Sequence, residues 1–257
     1  MTESAAVPIS ESLIRQYDVS GPRYTSYPTA DRFVEAFTAK DYAQALEQRR
    51  SGAAAYLRYL SREVDLHTAH MGTGQTVSQL HFGGGSPTFL SDDELRELMS
   101  MLRRSFNFTP GGEFSIEIDP RTIDAGRLNT LAELGFNRLS FGVQDFDPAV
   151  QKAVHRVQPA EQVFALVAAA RERGFESVNV DLIYGLPEQT PESFDRTMAQ
   201  IVELRPDRIA LYAYAHLPER FKPQRRISSV EIPTAAAKVS MLARSMAALM
   251  GAGYVYI

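Results

Sequence analysis

The residues best suited to chemistry in this sequence fall just after short apolar runs. The first run ends in Gly83-Gly84-Gly85-Ser86-Pro87, the second in Glu117 and Asp119, and the third in Gln144 and Asp145. The fourth carries Asp181 and Tyr184, and the fifth Tyr212, Tyr214, Ala215 and His216. Three consecutive glycines remove every Cβ, so backbone amides there can approach a carboxylate or an amine closely. Their spacing is not the G-x-G-x-x-G of a dinucleotide fold, and such a triplet also serves as a plain tight turn. Glu117 lies between Ile116 and Ile118 and so points to the opposite face of a strand. In an open sheet that face is solvated, whereas in a barrel it is the lumen and the carboxylate needs a partner. Asp181 lies between Val180 and Leu182 in an otherwise apolar run, which favours a functional role over simple exposure. Gln144 and Ala215 carry little signal alone, and Arg156 reads first as a solvated arginine.

The sequence contains no cysteine, which excludes disulfides, thiolate metal sites and cysteine nucleophiles in this chain. Of its five histidines only His67 and His70 share a helical spacing, and they read as a solvated face.

The elements that must position these residues alternate regularly. Strands are expected at 76–82, 113–119, 137–143, 177–183 and 207–214, with a further one begun at 254–257. Helices are expected between them: 91–106 with a Ser91/Glu94 capping box, one through Leu128, Leu131 and Leu134, a short one capped by Asp147-Pro148, 159–173, 190–204 and 234–250. Before them, 40–50 and 53–66 read as two helices joined at Ser51-Gly52, and a short one lies near 11–17. Strand–helix alternation at this spacing means βαβ units and a parallel sheet, whose ligand sites lie beyond the carboxyl ends of the strands. Five polar strand ends therefore point to a small-molecule site in a barrel-like sheet.

Composition narrows the partners. A formal net charge of -4 argues against a nucleic-acid footprint. No apolar run reaches the roughly 18 residues of a membrane span, and the first ten residues lack the pattern of a signal peptide, so a cytoplasmic protein is expected.

Six blocks carry a resemblance. Residues 20–29 (SGPRYTSYPT), 79–90 (QLHFGGGSPTFL), 114–121 (FSIEIDPR), 137–146 (NRLSFGVQDF), 179–194 (NVDLIYGLPEQTPESF) and 214–227 (YAHLPERFKPQRRI) stand in the order found in oxygen-independent coproporphyrinogen III oxidases. The sequence resembles that family of radical S-adenosylmethionine enzymes, and the first block sets it apart from the related haem chaperones. The resemblance implies an α/β fold, a partial (β/α)6 barrel of parallel strands at 51–257 preceded by an arm and helix at 1–50. It implies oxidative decarboxylation of two propionates of coproporphyrinogen III to vinyl groups, giving protoporphyrinogen IX through a 5′-deoxyadenosyl radical. The cofactors implied are S-adenosylmethionine and a [4Fe–4S] cluster, with an electron donor as partner and a monomer as the expected state. By match to the family, Gly84, Glu117 and Ala215 contact one S-adenosylmethionine, while Gly85, Ser86, Gln144, Arg156 and Asp181 contact a second. Ser86 replaces the usual threonine and keeps the hydroxyl. Arg23, in the arm, could pair with a substrate propionate.

The departures from the family pattern are large. The first strand and the CxxxCxxC loop expected before Ala53–Leu66 are missing, as is a C-terminal domain. The chain reads as a partial copy of a longer protein that holds these segments, inactive as written for want of cluster ligands. Two rivals follow from the residues alone: a degenerate homologue that binds tetrapyrrole or S-adenosylmethionine without catalysis, and an unrelated barrel enzyme using Glu117 and Asp181 as an acid–base pair.

Overall fold

A computed structural model describes residues 39–257. Helix 11–17, the block at 20–29 and Arg23 lie outside the described residues. The chain divides into two compact units, and each is described by itself.

The first unit holds the described residues up to Gly142 together with Ala165–Asn179. It opens with helix α1, Ala39–Met71, followed by strand β1, Gln75–Phe82, helix α2, Asp92–Ser105, and strand β2, Phe106–Ile118. Helix α3, Ala125–Glu133, then leads into strand β3, Arg138–Gln144, whose last two residues belong to the second unit. β1 and β2 pair in parallel, as do β2 and β3. α2 begins as its sequence dictates: Ser91 Oγ accepts from the Glu94 amide, and Glu94 returns a carboxylate oxygen to the Ser91 amide at 2.7 Å. Its buried stripe is Leu95, Leu98, Met99 and Met101, with Leu102 only half-buried. One face of the strands is apolar, with Ile116, Ile118, Leu139 and Phe141 fully enclosed.

The two helices expected before β1 are one. Nothing crowds Gly52 on α1, and a single glycine costs a helix only about 1 kcal/mol relative to alanine, so Ala53-Ala54-Ala55 carry the helix onward. β2 also begins earlier than the expected residue 113. Its register against β1 shifts between Val77 and Gln79, and the extra residues form an irregularity around Gly111, φ +72°, and Gly112. A Cβ at Gly112 would sit 2.9 Å from the Ser78 carbonyl oxygen, so the irregularity requires glycine there.

The second unit holds Val143–Phe164 and Val180–Ile257 among the described residues. It contains the short helix α4, Pro148–Ala153, and the start of α5, Ala160–Glu172. The end of strand β4, Ser177–Tyr184, helix α6, Pro191–Leu204, strand β5, Arg208–Ala213, and helix α7, Ala235–Gly251, complete it. Asp147 caps α4 and Thr190 caps α6, each with proline in the first turn. The last four residues, expected to start a strand, are not in one. Strand order follows chain order, β1-β2-β3-β4-β5, as successive parallel βα units produce. No helix among the described residues is long and apolar enough to cross a membrane.

Candidate functional site

In the first unit the site is built on the polar face of β1 and β2. His81 pairs in register with Ser115, and Ser115 with Arg138. Because side chains alternate, residues 81, 115, 117, 138 and 140 share a face, while Phe82, Ile116 and Leu139 lie on the other. β1 then runs into the glycine turn, where Gly84 takes φ +95°. The Gly84 amide donates to Glu117 Oε2 at 3.1 Å, so the turn and the carboxylate come together as the sequence suggested. On the other side, Glu117 Oε1 lies 3.5 Å from His81 Nε2. His81 Nδ1 is 2.7 Å from Ser115 Oγ, which reaches the Leu80 carbonyl at 3.3 Å. A Cβ at Gly83 would fall 2.6 Å from His81 Nε2 and 2.7 Å from Glu117 Oε1, so this closeness depends on glycine. Nothing stands within 4 Å of the Cβ positions at Gly84 and Gly85, which leaves bare backbone for a ligand to meet. Ser86 is exposed and makes no side-chain cap bond to the 3-10 turn Pro87–Phe89. Asp119 is structural: it caps the turn Pro120–Thr122 and pairs with Arg121 at 2.6 Å.

In the second unit Gln144 ends β3 in the left-handed region, φ +69°, and is half-buried. Asp145, next in the chain, is the centre of a buried polar network. Its Oδ1 accepts from the Asp147 amide at 2.7 Å and the Thr197 hydroxyl at 2.5 Å, and its Oδ2 accepts from the Gln189 amide group. Burial pushes the Asp145 carboxyl above the ordinary carboxylate range, and these donors oppose the rise. Gln189 Oε1 accepts from the Gly185 and Leu186 amides, fixing the turn after β4. Gln151 bridges the Asp145 and Gln158 carbonyls at 2.9 and 2.8 Å.

Arg156 is half-buried just after His155, which has φ +52°. Its amide donates to the Gln151 carbonyl at 2.8 Å. Asp181 is half-buried between the enclosed Val180 and Leu182. The Ala215 carbonyl accepts from Gln224 at 3.0 Å, and the Tyr214 amide, just after β5, donates to the Tyr184 carbonyl of β4 at 2.8 Å. Burial, then the Lys238 charge, lowers the His216 pKa.

Sequence reasoning missed His81, Ser115, Gln189 and Thr197. Ser115 shares the period-two face of Glu117, a signal available in the sequence, whereas His81 comes there only through the register of β1 against β2. The other two reach Asp145 from 44 and 52 residues away, which no local pattern reveals.

A family model described as the Radical SAM superfamily matches residues 50–201. The chain is 47% identical to an oxygen-independent coproporphyrinogen III oxidase of Pseudomonas aeruginosa, covering 95% of this chain and 61% of the relative. It is 42% identical to the Escherichia coli protein of the same name, covering 96% and 60%. The solved structure of the Escherichia coli coproporphyrinogen III oxidase, described as a radical SAM enzyme, matches with a TM-score of 0.80 at 40% identity, over 95% of this chain and 62% of that one. The chain thus spans about three fifths of the length of these relatives. The alignment to the Pseudomonas relative runs over 279 positions, more than the 257 residues of this chain, so within the matched region the relative holds residues that this chain lacks. With five parallel strands alternating with helices, the α/β fold is a partial radical SAM barrel, and the chain belongs to the Radical SAM superfamily.

Proposed function

We propose that this chain is the S-adenosylmethionine- and porphyrinogen-binding portion of an oxygen-independent coproporphyrinogen III oxidase. The observation that carries the reading is the glycine turn: Glu117 takes the Gly84 amide, and the backbone of Gly84 and Gly85 lies open beside the carboxylate. A carboxylate with an open amide-lined turn suits a zwitterionic ligand, holding an ammonium or ribose hydroxyl at Glu117 and a ligand carboxylate at peptide N–H groups.

Each site residue then has a task. Gly84, Glu117 and Ala215 would orient one S-adenosylmethionine. Gly85, Ser86, Gln144, Arg156 and Asp181 would bind a second, with the Arg156 guanidinium suited to a carboxylate. Arg23 would pair with a substrate propionate. The family's reaction converts two propionates of coproporphyrinogen III to vinyl groups, and an external donor supplies electrons. Monomeric state and cytoplasmic location are part of the same reading.

The superfamily uses S-adenosylmethionine with a [4Fe–4S] cluster, and the two cofactors fare differently here. The glycine turn fits S-adenosylmethionine. The cluster does not fit: the chain has no cysteine, and the described residues contain no group of three or more potential metal-ligating His, Asp or Glu side chains. The oxidase activity is accordingly assigned to a protein that also carries the cysteine segment.

The test is a graft. A segment carrying the family's CxxxCxxC loop is inserted between Arg50 and Ser51, ahead of Ala53–Leu66 where the family order places it, and the protein is reconstituted anaerobically with iron and sulfide. Cluster absorbance in the graft and none in the parent chain supports the reading. A graft that folds yet takes up no cluster contradicts it.

A further inference from the structure

Two buried glutamines that no proposed ligand contact uses stand behind the end of β3. Gln158 is 0% exposed and Gln151 6%, positions that an apolar side chain would ordinarily fill. Their partners are the backbone groups on either side of Gln144. The Gln158 side-chain amide donates to the Val143 carbonyl, and the Gln151 side-chain amide donates to the Asp145 carbonyl at 2.9 Å. Between those two carbonyls the chain turns sharply. The Asp145 amide donates to the Val143 carbonyl at 2.9 Å, and Gln144 takes φ +69°. That bond and that φ belong to the rarer, strained kind of γ-turn. A residue other than glycine keeps such a conformation only where its surroundings fix it, and here the two glutamine amides do so.

The same pair closes the loop that carries Arg156. Gln151 Nε2 gives its second proton to the Gln158 carbonyl at 2.8 Å, and Gln151 Oε1 accepts from the Gln158 amide at 3.0 Å. The Gln151 carbonyl accepts from the Arg156 amide at 2.8 Å, directly after His155 makes a left-handed step at φ +52°. Both protons and the oxygen of the Gln151 side chain are thus engaged. A side chain without an amide would leave buried peptide groups of β3 and of the loop without partners. All of these residues lie in the second unit.

We infer that Gln151 and Gln158 are positioning residues for the second S-adenosylmethionine, tying Gln144 and Arg156 into one grip that is formed before the ligand arrives. The inference rests on the reading that assigns Gln144 and Arg156 to that ligand, and goes further in naming what holds them. Each glutamine acts through the backbone it holds. A ligand that had first to order both the turn and the loop would lose that cost from its affinity.

The experiment titrates S-adenosylmethionine into the 257-residue chain, Gln151→Met and Gln158→Met by calorimetry. Methionine keeps the length of the side chain and removes its amide. Gly84 and Glu117, assigned to the first molecule, lie in the other unit, so the first binding event also reports that a variant is folded. The parent chain should bind two molecules. Each variant should keep one event at the parent affinity and weaken the other by about tenfold or more. Two events of unchanged affinity in a folded variant, or equal weakening of both, overturn the inference. A parent chain that binds fewer than two molecules overturns the two-molecule reading, and the inference falls with it. Hydrogen exchange in the unliganded parent chain needs no variant: the Arg156 and Gln158 amides should exchange as slowly as those of the enclosed β3 residues. Rapid exchange at both that slows only when ligand is added overturns the preformed grip even if neither variant folds.

Discussion

The Gly84 amide and the Glu117 carboxylate, 33 residues apart in the chain, meet at 3.1 Å where β1 runs into its glycine turn. The bond closes the turn against the next strand, and it is possible because Gly83 has no side chain: His81 and Glu117 occupy the space its Cβ would need. Gly83→Ala must therefore displace one or both. The expected outcome is a loss of S-adenosylmethionine affinity of about tenfold or more, about the worth of one charge-assisted hydrogen bond. The thermal midpoint should move little, because both side chains are substantially exposed. Calorimetric binding and a thermal melt on the same preparation check it.

Asp145 gives a prediction about stability. Its buried carboxylate takes three donors and orients Gln189, whose own oxygen holds the turn after β4. Asp145→Asn keeps Oδ1 but turns an amide group toward the Gln189 amide. Donor then faces donor, and the cost should be about 1–3 kcal/mol in a denaturant titration.

The same residue sets a pH dependence. Burial raises the Asp145 pKa in the folded chain, so the unfolded chain ionises at lower pH. The contribution is fully present below the unfolded pKa and is lost as pH rises through the raised folded value. Subtracting the Asp145→Asn profile from that of the parent chain should leave a difference that shrinks across this window as pH rises. Unfolding midpoints taken from the ordinary carboxylate range upward measure it.

The irregularity in β2 supplies a third site. A Cβ at Gly112 would meet the Ser78 carbonyl at 2.9 Å and the Phe114 ring at 2.9 Å, and backbone on the neighbouring strand cannot rotate aside. Gly112→Ala should destabilise by about 1–3 kcal/mol, the usual cost of overpacking. Unfolding by urea checks it, with Gly52→Ala as the contrasting variant, which is expected to be neutral or slightly stabilising.

Local chemistry was legible in the sequence and remote chemistry was not. The Ser91–Glu94 box, Asp147-Pro148 and Thr190-Pro191 announce helix starts within four residues, and the structure places each where expected. The break expected at Ser51-Gly52 and the strand start expected at residue 113 misled, because continuous helix and strand pairing outweighed weak local breakers. Period-two alternation put Glu117 on the polar face correctly. What it could not reveal is that strand register would set His81 beside Ser115, or that Gln189 would reach back to Asp145.

The role of Glu117 is tested by comparing S-adenosylmethionine binding to the parent chain and to Glu117→Gln near neutral pH. Binding by the parent chain, a loss of about tenfold or more in the variant, and unchanged far-UV circular dichroism are expected. Equal affinity in the two proteins, or no binding by the folded parent chain, would contradict it.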